Sequence, residues 1–181
     1  VGTIDEKGMA VTAERKLEIA RRSVSLLVNQ GIAENDLIFD PLVFPVGTGD
    51  EQYLGSALET VKGIRAIKEE FPECLTILGI SNVSFGLPPR GREILNAVFL
   101  YHCTKAGLDY AIVNTEKLER YASIPEEEIK LANDLIFNTN DETLAIFTDF
   151  YRGKKKEQKV ITLPDTVEER LAYYIVEGTK E

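Results

Sequence analysis

Short apolar runs alternate with longer amphipathic segments along the first two thirds of this 181-residue chain. The apolar runs begin near positions 2, 37, 75 and 109, so they recur every 34 to 38 residues. In the segments between them, apolar residues return every three or four positions, which is typical of amphipathic helices. Strict alternation of strand and helix at this period is typical of βα units that form a parallel sheet.

The pattern predicts strands at residues 2–5, 37–39, 75–80 and 110–113, with a turn at residues 6–8. It predicts helices from a Thr12 cap to Gly31, from about Leu54 to before Pro72, and from about Arg92 to Gly107. The stripe of the first helix is Leu17, Ala20, Val24, Leu27 and Val28. After Val113 the alternation stops, and two further helices are expected near residues 124–136 and 144–151.

Three segments divide the chain. Residues 1–152 carry the βα units and the two helices that follow them. Residues 153–164 are polar and basic and are predicted to be a solvated linker. Residues 165–181 begin with Thr166 and Glu169 in a capping-box spacing, which predicts a last helix that ends near Gly178.

Composition narrows the function classes. The net charge of -9 argues against a nucleic-acid partner, and the longest apolar runs are far too short to span a membrane. Cys74 and Cys103 have no metal-ligand spacing and favour a reduced, cytoplasmic setting without a disulfide. The single histidine, His102, lies in a helical stripe and is interpreted as a packed helix residue. No metal site is therefore predicted.

Two polar residues follow neighbouring predicted strands. Asp40 ends the strand at 37–39, and Asn82 follows the strand at 75–80. Chemistry in α/β folds gathers at the carboxyl ends of strands, so both residues are candidates for a site. Each also has a simpler interpretation, because Asp40-Pro41 favours a turn and Asn82 precedes a helix that needs a cap.

Three blocks of sequence, at residues 37–49, 80–103 and 107–115, resemble in order and spacing the pterin-binding (methyltetrahydrofolate) domain of cobalamin-dependent methionine synthases. The resemblance runs from about Ile4 to Gly153. It implies an α/β fold that is the C-terminal half of a (β/α)8 TIM barrel, dihydropteroate synthase-like and followed by a short helical segment. Residues 165–181 resemble the first helix of the cap on the cobalamin module. Without the resemblance, a small doubly wound open sheet fits the pattern equally well.

The resemblance implies transfer of the methyl group from N5 of 5-methyltetrahydrofolate to cob(I)alamin, on the way from homocysteine to methionine. Cobalamin (vitamin B12) would be carried by a module outside this chain, and zinc only by an absent homocysteine module. Asn82 would be catalytic. The methyltetrahydrofolate site would comprise Asp40, Asn82, Ser84, Phe85, Arg92 and Asn114.

Two assignments within this site have competitors. Arg90 also lies near the helix start, but Arg92 fits the family alignment better as the contact of the folate tail. Relatives that act on corrinoid proteins tend to carry a polar residue in place of Phe85, so Phe85 favours the methionine synthases.

Alternative functions are a methyltetrahydrofolate–corrinoid protein methyltransferase, a dihydropteroate synthase-like enzyme, and an inactive truncated folate-binding fragment.

The expected partners follow from the same interpretation. They are methyltetrahydrofolate and the cobalamin-binding module, with neither nucleic acid nor membrane. Half a barrel has open sheet edges and one uncovered core face, so it is predicted to form a homodimer through those edges or to contact the missing half.

Overall fold

The structure is a computed structural model that describes residues 1–153 and 166–177. Its strands are β1 (Ile4–Asp5), β2 (Gly8–Met9), β3 (Ile38–Phe39), β4 (Leu75–Gly79) and β5 (Tyr110–Ile112). Its α-helices are α1 (Ala13–Asn29), α2 (Ser56–Glu70), α3 (Pro89–Ala106), α4 (Glu126–Phe137), α5 (Asp141–Tyr151) and α6 (Val167–Glu177). None of the helices within these described ranges is long and apolar enough to cross a membrane.

The parallel sheet follows the order of the chain. β3 pairs with β4, and β4 pairs with β5, both in parallel. Gly2 forms a parallel bridge with Asp40, so the first residues of the chain lie beside β3 at the outer edge. A doubly wound sheet would reverse its strand order at a switch point, whereas a barrel keeps neighbouring strands in sequence. The observed order is that of part of a TIM barrel that has not closed.

The two faces of this sheet differ in their cover. Phe39, Thr76 and Leu78 are fully buried on the face that carries the helices. On the other face Ile38 is 38% exposed and Ile112 is 64% exposed. In a closed barrel that second face points inward and is packed by the remaining strands. The uncovered face expected of half a barrel is therefore present.

Most of the core lies between the sheet and α2 to α5. Its fully buried side chains include Ile64, Leu78, Phe99, Leu135 and Phe147. A smaller cluster under α1 contains Ala20, Val24, Leu37, Phe39, Ile67 and Cys74. Complete burial of a large aliphatic or aromatic side chain is worth about 1.5–3 kcal/mol, so these two clusters stabilise the packing of the helices on the sheet.

Several predicted helix ends are confirmed. Thr12 Oγ1 accepts a hydrogen bond from the Arg15 amide at 3.3 Å at the start of α1. Gly31 and Gly107 follow α1 and α3 with φ values of 89° and 107°, a conformation that costs other residues energy. In the last helix, Thr166 Oγ1 accepts from the Glu169 amide at 3.3 Å, so the predicted cap is also confirmed.

Other boundaries differ from the sequence prediction. The strand predicted at residues 2–5 is divided between two sheets: Gly2 bridges to Asp40 in the parallel sheet, but β1 leaves that sheet and pairs antiparallel with β2 through the predicted turn. Leu54 precedes α2 and is 46% exposed, since Gly55 adopts a left-handed conformation (φ 74°) and the helix begins at Ser56, two residues later than predicted. Val28, predicted to pack on the stripe of α1, is exposed.

The region after β4 also differs. β4 ends at Gly79. Ile80, predicted as the sixth and last residue of this strand, instead begins a 3-10 helix, Ile80–Ser84. α3 begins at Pro89, three positions before the predicted start at Arg92, because a proline suits the first turn, where its missing N–H is not needed. The predicted linker at 153–164 lies outside the described residues except for Gly153.

The cysteines and the histidine are packed as predicted. Cys74 and Cys103 are both buried and free. Burial raises the pKa of the Cys74 thiol to about 11. His102 Nε2 lies 2.7 Å from Asn133 Oδ1, and its ring meets Phe137 edge to face. Over the described residues, no three His, Cys, Asp or Glu side chains converge on a common metal position.

Candidate functional site

The carboxyl ends of β3, β4 and β5 meet at one edge of the sheet because the strands are parallel. Asp40 follows β3 directly, the 3-10 helix Ile80–Ser84 follows β4, and Asn114 lies two residues after β5. The predicted site residues therefore come from loops at the same edge, where α/β barrels carry their chemistry.

Asp40 forms the turn that the Asp-Pro pair predicts. Its Oδ1 accepts a hydrogen bond from the Leu42 amide at 2.9 Å. Leu42 has a φ of 64°, which is unusual for a residue other than glycine and costs about 1–2 kcal/mol. Asp40 is half-buried, and its Oδ2 accepts no hydrogen bond from the described residues. The turn thus uses one carboxylate oxygen and leaves the other free.

Two groups hold the Leu42 carbonyl. Thr60 Oγ1, on α2, donates to it at 2.9 Å. Lys16 Nζ, on α1, lies 3.5 Å from it and donates to the Pro41 carbonyl at 2.6 Å. The loop after β3 is therefore fixed from behind by two helices.

Asn82 is exposed and joins the loop after β4 to the loop after β3. Its Nδ2 donates to the Val43 carbonyl, and the Val46 amide donates to the Val83 carbonyl at 3.0 Å beside it. Because a carbonyl can only accept a hydrogen bond, the atom of the Asn82 amide that faces the Val43 carbonyl is assigned as Nδ2 and the other as Oδ1. The Asn82 Oδ1 accepts no hydrogen bond from the described part of the chain.

Ser84 and Arg92 form a second group. Ser84 is fully buried and donates to the Ser81 carbonyl at 3.1 Å. Arg92 Nε donates to Ser84 Oγ at 3.2 Å, and Arg92 Nη2 lies 3.4 Å from the Ser81 carbonyl. Ser84 thus lies behind Arg92, and the Ser84 hydroxyl group helps to orient the Arg92 side chain.

Arg90 points to different partners. Its Nη1 pairs with Glu93 at 3.2 Å and with Glu119 at 2.6 Å. Arg92, by contrast, lines a cleft together with Asn114 and Lys117. The geometry separates the two arginines that the sequence left in competition.

This cleft has a volume of about 420 Å³ and lies between the 3-10 helix, the first turns of α3 and the loop after β5. Asn114 lines it and turns its own loop, since its Oδ1 accepts from the Glu116 amide at 3.1 Å. Asn96 also lines it, and among the described residues its buried Oδ1 has no hydrogen-bond partner. The lining of the cleft therefore combines the cationic Arg92 and Lys117 with the carboxylate of Glu93 and with two amide side chains.

The predicted residues fall into two sets. Asp40 and Asn82 are linked through the loop after β3, whereas Ser84, Arg92 and Asn114 surround or support the cleft. Ser81 connects the sets, because it precedes Asn82 and lines the cleft. Phe85 follows Ser84 and is 59% exposed, so its ring is available to a ligand.

Lys16 and Lys117 were missed by sequence reasoning. Lys16 lies four and eight residues before Ala20 and Val24, so a charge on the buried stripe of α1 was a visible signal. Burial lowers the pKa of Lys16 to about 8, against the opposing influence of Asp40 and Glu59. Lys117 gives no comparable signal, because it lies in a polar loop.

Comparison with known proteins identifies the class of this chain. Residues 2–114, more than half of the chain, match the family model described as pterin binding enzyme. The chain belongs to the pterin-binding enzyme family.

Two relatives narrow the comparison. The chain is 38% identical over 187 residues to a methionine synthase from Mycobacterium tuberculosis, and 37% identical over 189 residues to one from Mycobacterium leprae. Each match covers 98% of this chain but 16% of the relative. The similarity extends past the family match into the helices that follow β5.

Proposed function

We propose that this chain is part of a methyltransferase that moves the methyl group of 5-methyltetrahydrofolate to cob(I)alamin, on the way from homocysteine to methionine. Family membership and the methionine synthase relatives support the class of substrate. The observation that carries the proposal is the Asn82 amide, whose Nδ2 is held by the Val43 carbonyl at the carboxyl edge of the sheet.

The reaction makes one demand that Asn82 can meet. Cob(I)alamin, which another module would carry, would supply the nucleophile. As the bond between N5 and the methyl carbon breaks, its electron pair stays on N5, and an amine nitrogen leaves poorly as an anion. Protonation of N5 by solvent solves this problem, because the nitrogen then leaves as a neutral amine. The resulting N–H group is a donor, and the free Oδ1 of Asn82 accepts its hydrogen bond without adding a charge.

Asp40 fits the other edge of the pterin ring. A pterin presents a ring N–H group beside an exocyclic amino group, and a carboxylate matches such paired donors. The Leu42 amide holds Oδ1 in the turn, and Oδ2 remains for the ligand. Both interpretations of Asp40 from the sequence, turn and ligand, are compatible in this geometry.

The cleft suits the tail of the folate. That tail ends in glutamate carboxylates, for which Arg92 and Lys117 supply positive charge. Asn114 and Asn96 add amide groups along the same wall. The exposed Phe85 ring offers an apolar surface next to the 3-10 helix that carries Asn82, and Ser84 acts by orienting Arg92.

The remaining parts of the reaction belong to other modules of a longer protein. The chain spans about 16% of the length of the curated relatives, so the corrinoid module and the zinc-dependent homocysteine module would lie elsewhere. We assign α6 (Val167–Glu177) to the start of the cap on the corrinoid module. Buried free thiols are compatible with a reducing cytoplasm.

Calorimetric titration of the full-length protein with 5-methyltetrahydrofolate tests the proposal. Saturable binding, followed by methyl transfer when cob(I)alamin is mixed in, is the expected result. Absence of binding would overturn it. Turnover of a pterin pyrophosphate with p-aminobenzoate would assign the chain to the dihydropteroate synthase reaction instead.

A further inference from the structure

Lys16 is a buried cation to which the proposed function assigns no role. Its side chain has no solvent exposure. Nζ donates to the Ala10 carbonyl at 2.8 Å and to the Pro41 carbonyl at 2.6 Å, and it lies 5.1 Å from the centre of the Phe44 ring. Its close partners in the described residues are thus carbonyl groups and a ring rather than a carboxylate.

Burying a charge in this way is costly. A desolvated ammonium group must recover its hydration energy from hydrogen bonds, and a leucine or methionine would fill the same space at no such cost. The packing also constrains α2, because a Cβ atom on Gly63 would lie 2.7 Å from Lys16 Cδ. The cost of burying this charge calls for a role beyond filling the core.

Two of the three carbonyl contacts of Lys16 lie on one short segment, whereas the third is to Ala10. Pro41 and Leu42 lie between Asp40, whose Oδ1 is held by the Leu42 amide, and Val43, whose carbonyl holds Asn82. Leu42 is left-handed, so this segment is strained and needs external support. Lys16 supplies that support from α1.

We infer that Lys16 is a positioning residue for methyltetrahydrofolate, because its ammonium group clamps the segment that sets both the Asp40 carboxylate and the Val43 carbonyl that orients Asn82. This inference rests on the proposed function, in which Asp40 and Asn82 contact the pterin. A lysine that only fills the core would change stability and leave the affinity of folded molecules untouched.

The clamp is sensitive to pH. Burial lowers the pKa of Lys16 to about 8, and the charged groups that face it are Asp40 from the loop after β3 and Glu59 from α2. Below pH 8 the ammonium group keeps three donors for its carbonyl partners. Above pH 8 it loses a proton and its charge, so the clamp weakens and ligand affinity falls.

Calorimetric titration of the full-length Lys16→Met variant with 5-methyltetrahydrofolate is the test. At pH 7 we expect the dissociation constant to rise about tenfold or more, while circular dichroism shows a folded protein. Ile19→Ala is the matched control, because it removes a buried side chain from the same helix but no hydrogen bond to the loop. It should lower stability and leave the dissociation constant unchanged.

Two further measurements keep the test decisive if Lys16→Met does not fold. Thr60→Val removes the other donor to the Leu42 carbonyl and should raise the dissociation constant by a smaller factor. The wild-type dissociation constant should rise between pH 7 and 9, and a folded Lys16→Met variant should lack this rise.

Unchanged affinity in Lys16→Met, or an equal loss in Ile19→Ala, would overturn the inference. If Lys16→Met does not fold, the inference would be overturned by unchanged affinity in Thr60→Val, or by a wild-type dissociation constant that does not change with pH. A wild-type protein that does not bind at all would overturn the proposed function itself.

Discussion

The side-chain amide of Asn82 donates a hydrogen bond to the backbone carbonyl of Val43, a residue 39 positions earlier in the chain. This bond joins the loops after β3 and β4, so the two polar residues at neighbouring strand ends are set by one segment. The bond also occupies Nδ2 of Asn82 and leaves Oδ1 available to a ligand. A single contact therefore connects the ring-binding and catalytic parts of the proposed site.

Asp40→Asn should weaken binding of 5-methyltetrahydrofolate by the full-length protein. The amide oxygen can still accept from the Leu42 amide, so the turn is kept. The charge-assisted bonds to the pterin, each worth about 1.5–3 kcal/mol, are lost. Calorimetric titration measures the change, with the exposed Asp36→Asn as the matched control. An unchanged dissociation constant in folded Asp40→Asn would leave only the turn-forming role.

Arg92→Met should lower ligand affinity, whereas Arg90→Met should lower the stability of the fold. Arg92 lines the cleft, so its loss should raise the dissociation constant of 5-methyltetrahydrofolate about tenfold, with little effect on a methylated tetrahydropterin that lacks the glutamate tail. Arg90 pairs with Glu93 and Glu119, so its loss should lower stability instead. Titration of both variants with both ligands is the measurement. A tail-dependent loss in Arg90→Met alone would reverse the assignment.

Asp109→Ala should destabilise the fold without touching the site. Asp109 Oδ2 accepts from the Thr76 amide at 2.8 Å and pairs with Lys68 at 3.1 Å, at the edge of the sheet opposite the candidate site. Removing it leaves the Thr76 amide without its acceptor, at a cost of about 1–3 kcal/mol. Urea unfolding should show this loss while ligand affinity is retained. A large fall in affinity would mean that the two edges are coupled.

The isolated 181-residue chain should associate in solution. Its uncovered sheet face carries Ile38, Tyr110 and Ile112, and the edge strand β5 is unpaired on its outer side among the described residues. Such surfaces are covered by a second copy or by the rest of a barrel. Light scattering should therefore report a dimer or larger species. A stable monomer with cooperative unfolding would contradict the half-barrel account.

Periodicity was sufficient for the order of strands and helices. Caps and glycines such as Thr12, Gly31 and Gly107 act locally, so their effect is visible in the sequence. Leu54 was placed wrongly because the left-handed Gly55 delays the helix, a choice that depends on the loop before it.

The candidate site was predictable only in part. Asp40 and Asn82 were found because strand ends are recognisable, and Arg92 was preferred over Arg90 by resemblance. Their separation depends on tertiary contacts, since Arg90 meets Glu119 from a distant loop. The position of Lys16 on the buried stripe of α1 was visible in the sequence. Its bond to Pro41 and the bond from Asn82 to Val43 join segments far apart in the chain, which no local pattern records.

Single-turnover methyl transfer from 5-methyltetrahydrofolate to cob(I)alamin by full-length Asn82→Ala tests the central claim most directly. The exposed Asn29→Ala, on α1, is the matched control. Losing one hydrogen bond to the reacting nitrogen should raise the barrier by about 2–3 kcal/mol, with a smaller change in the dissociation constant. Transfer by folded Asn82→Ala at the wild-type rate would contradict the account.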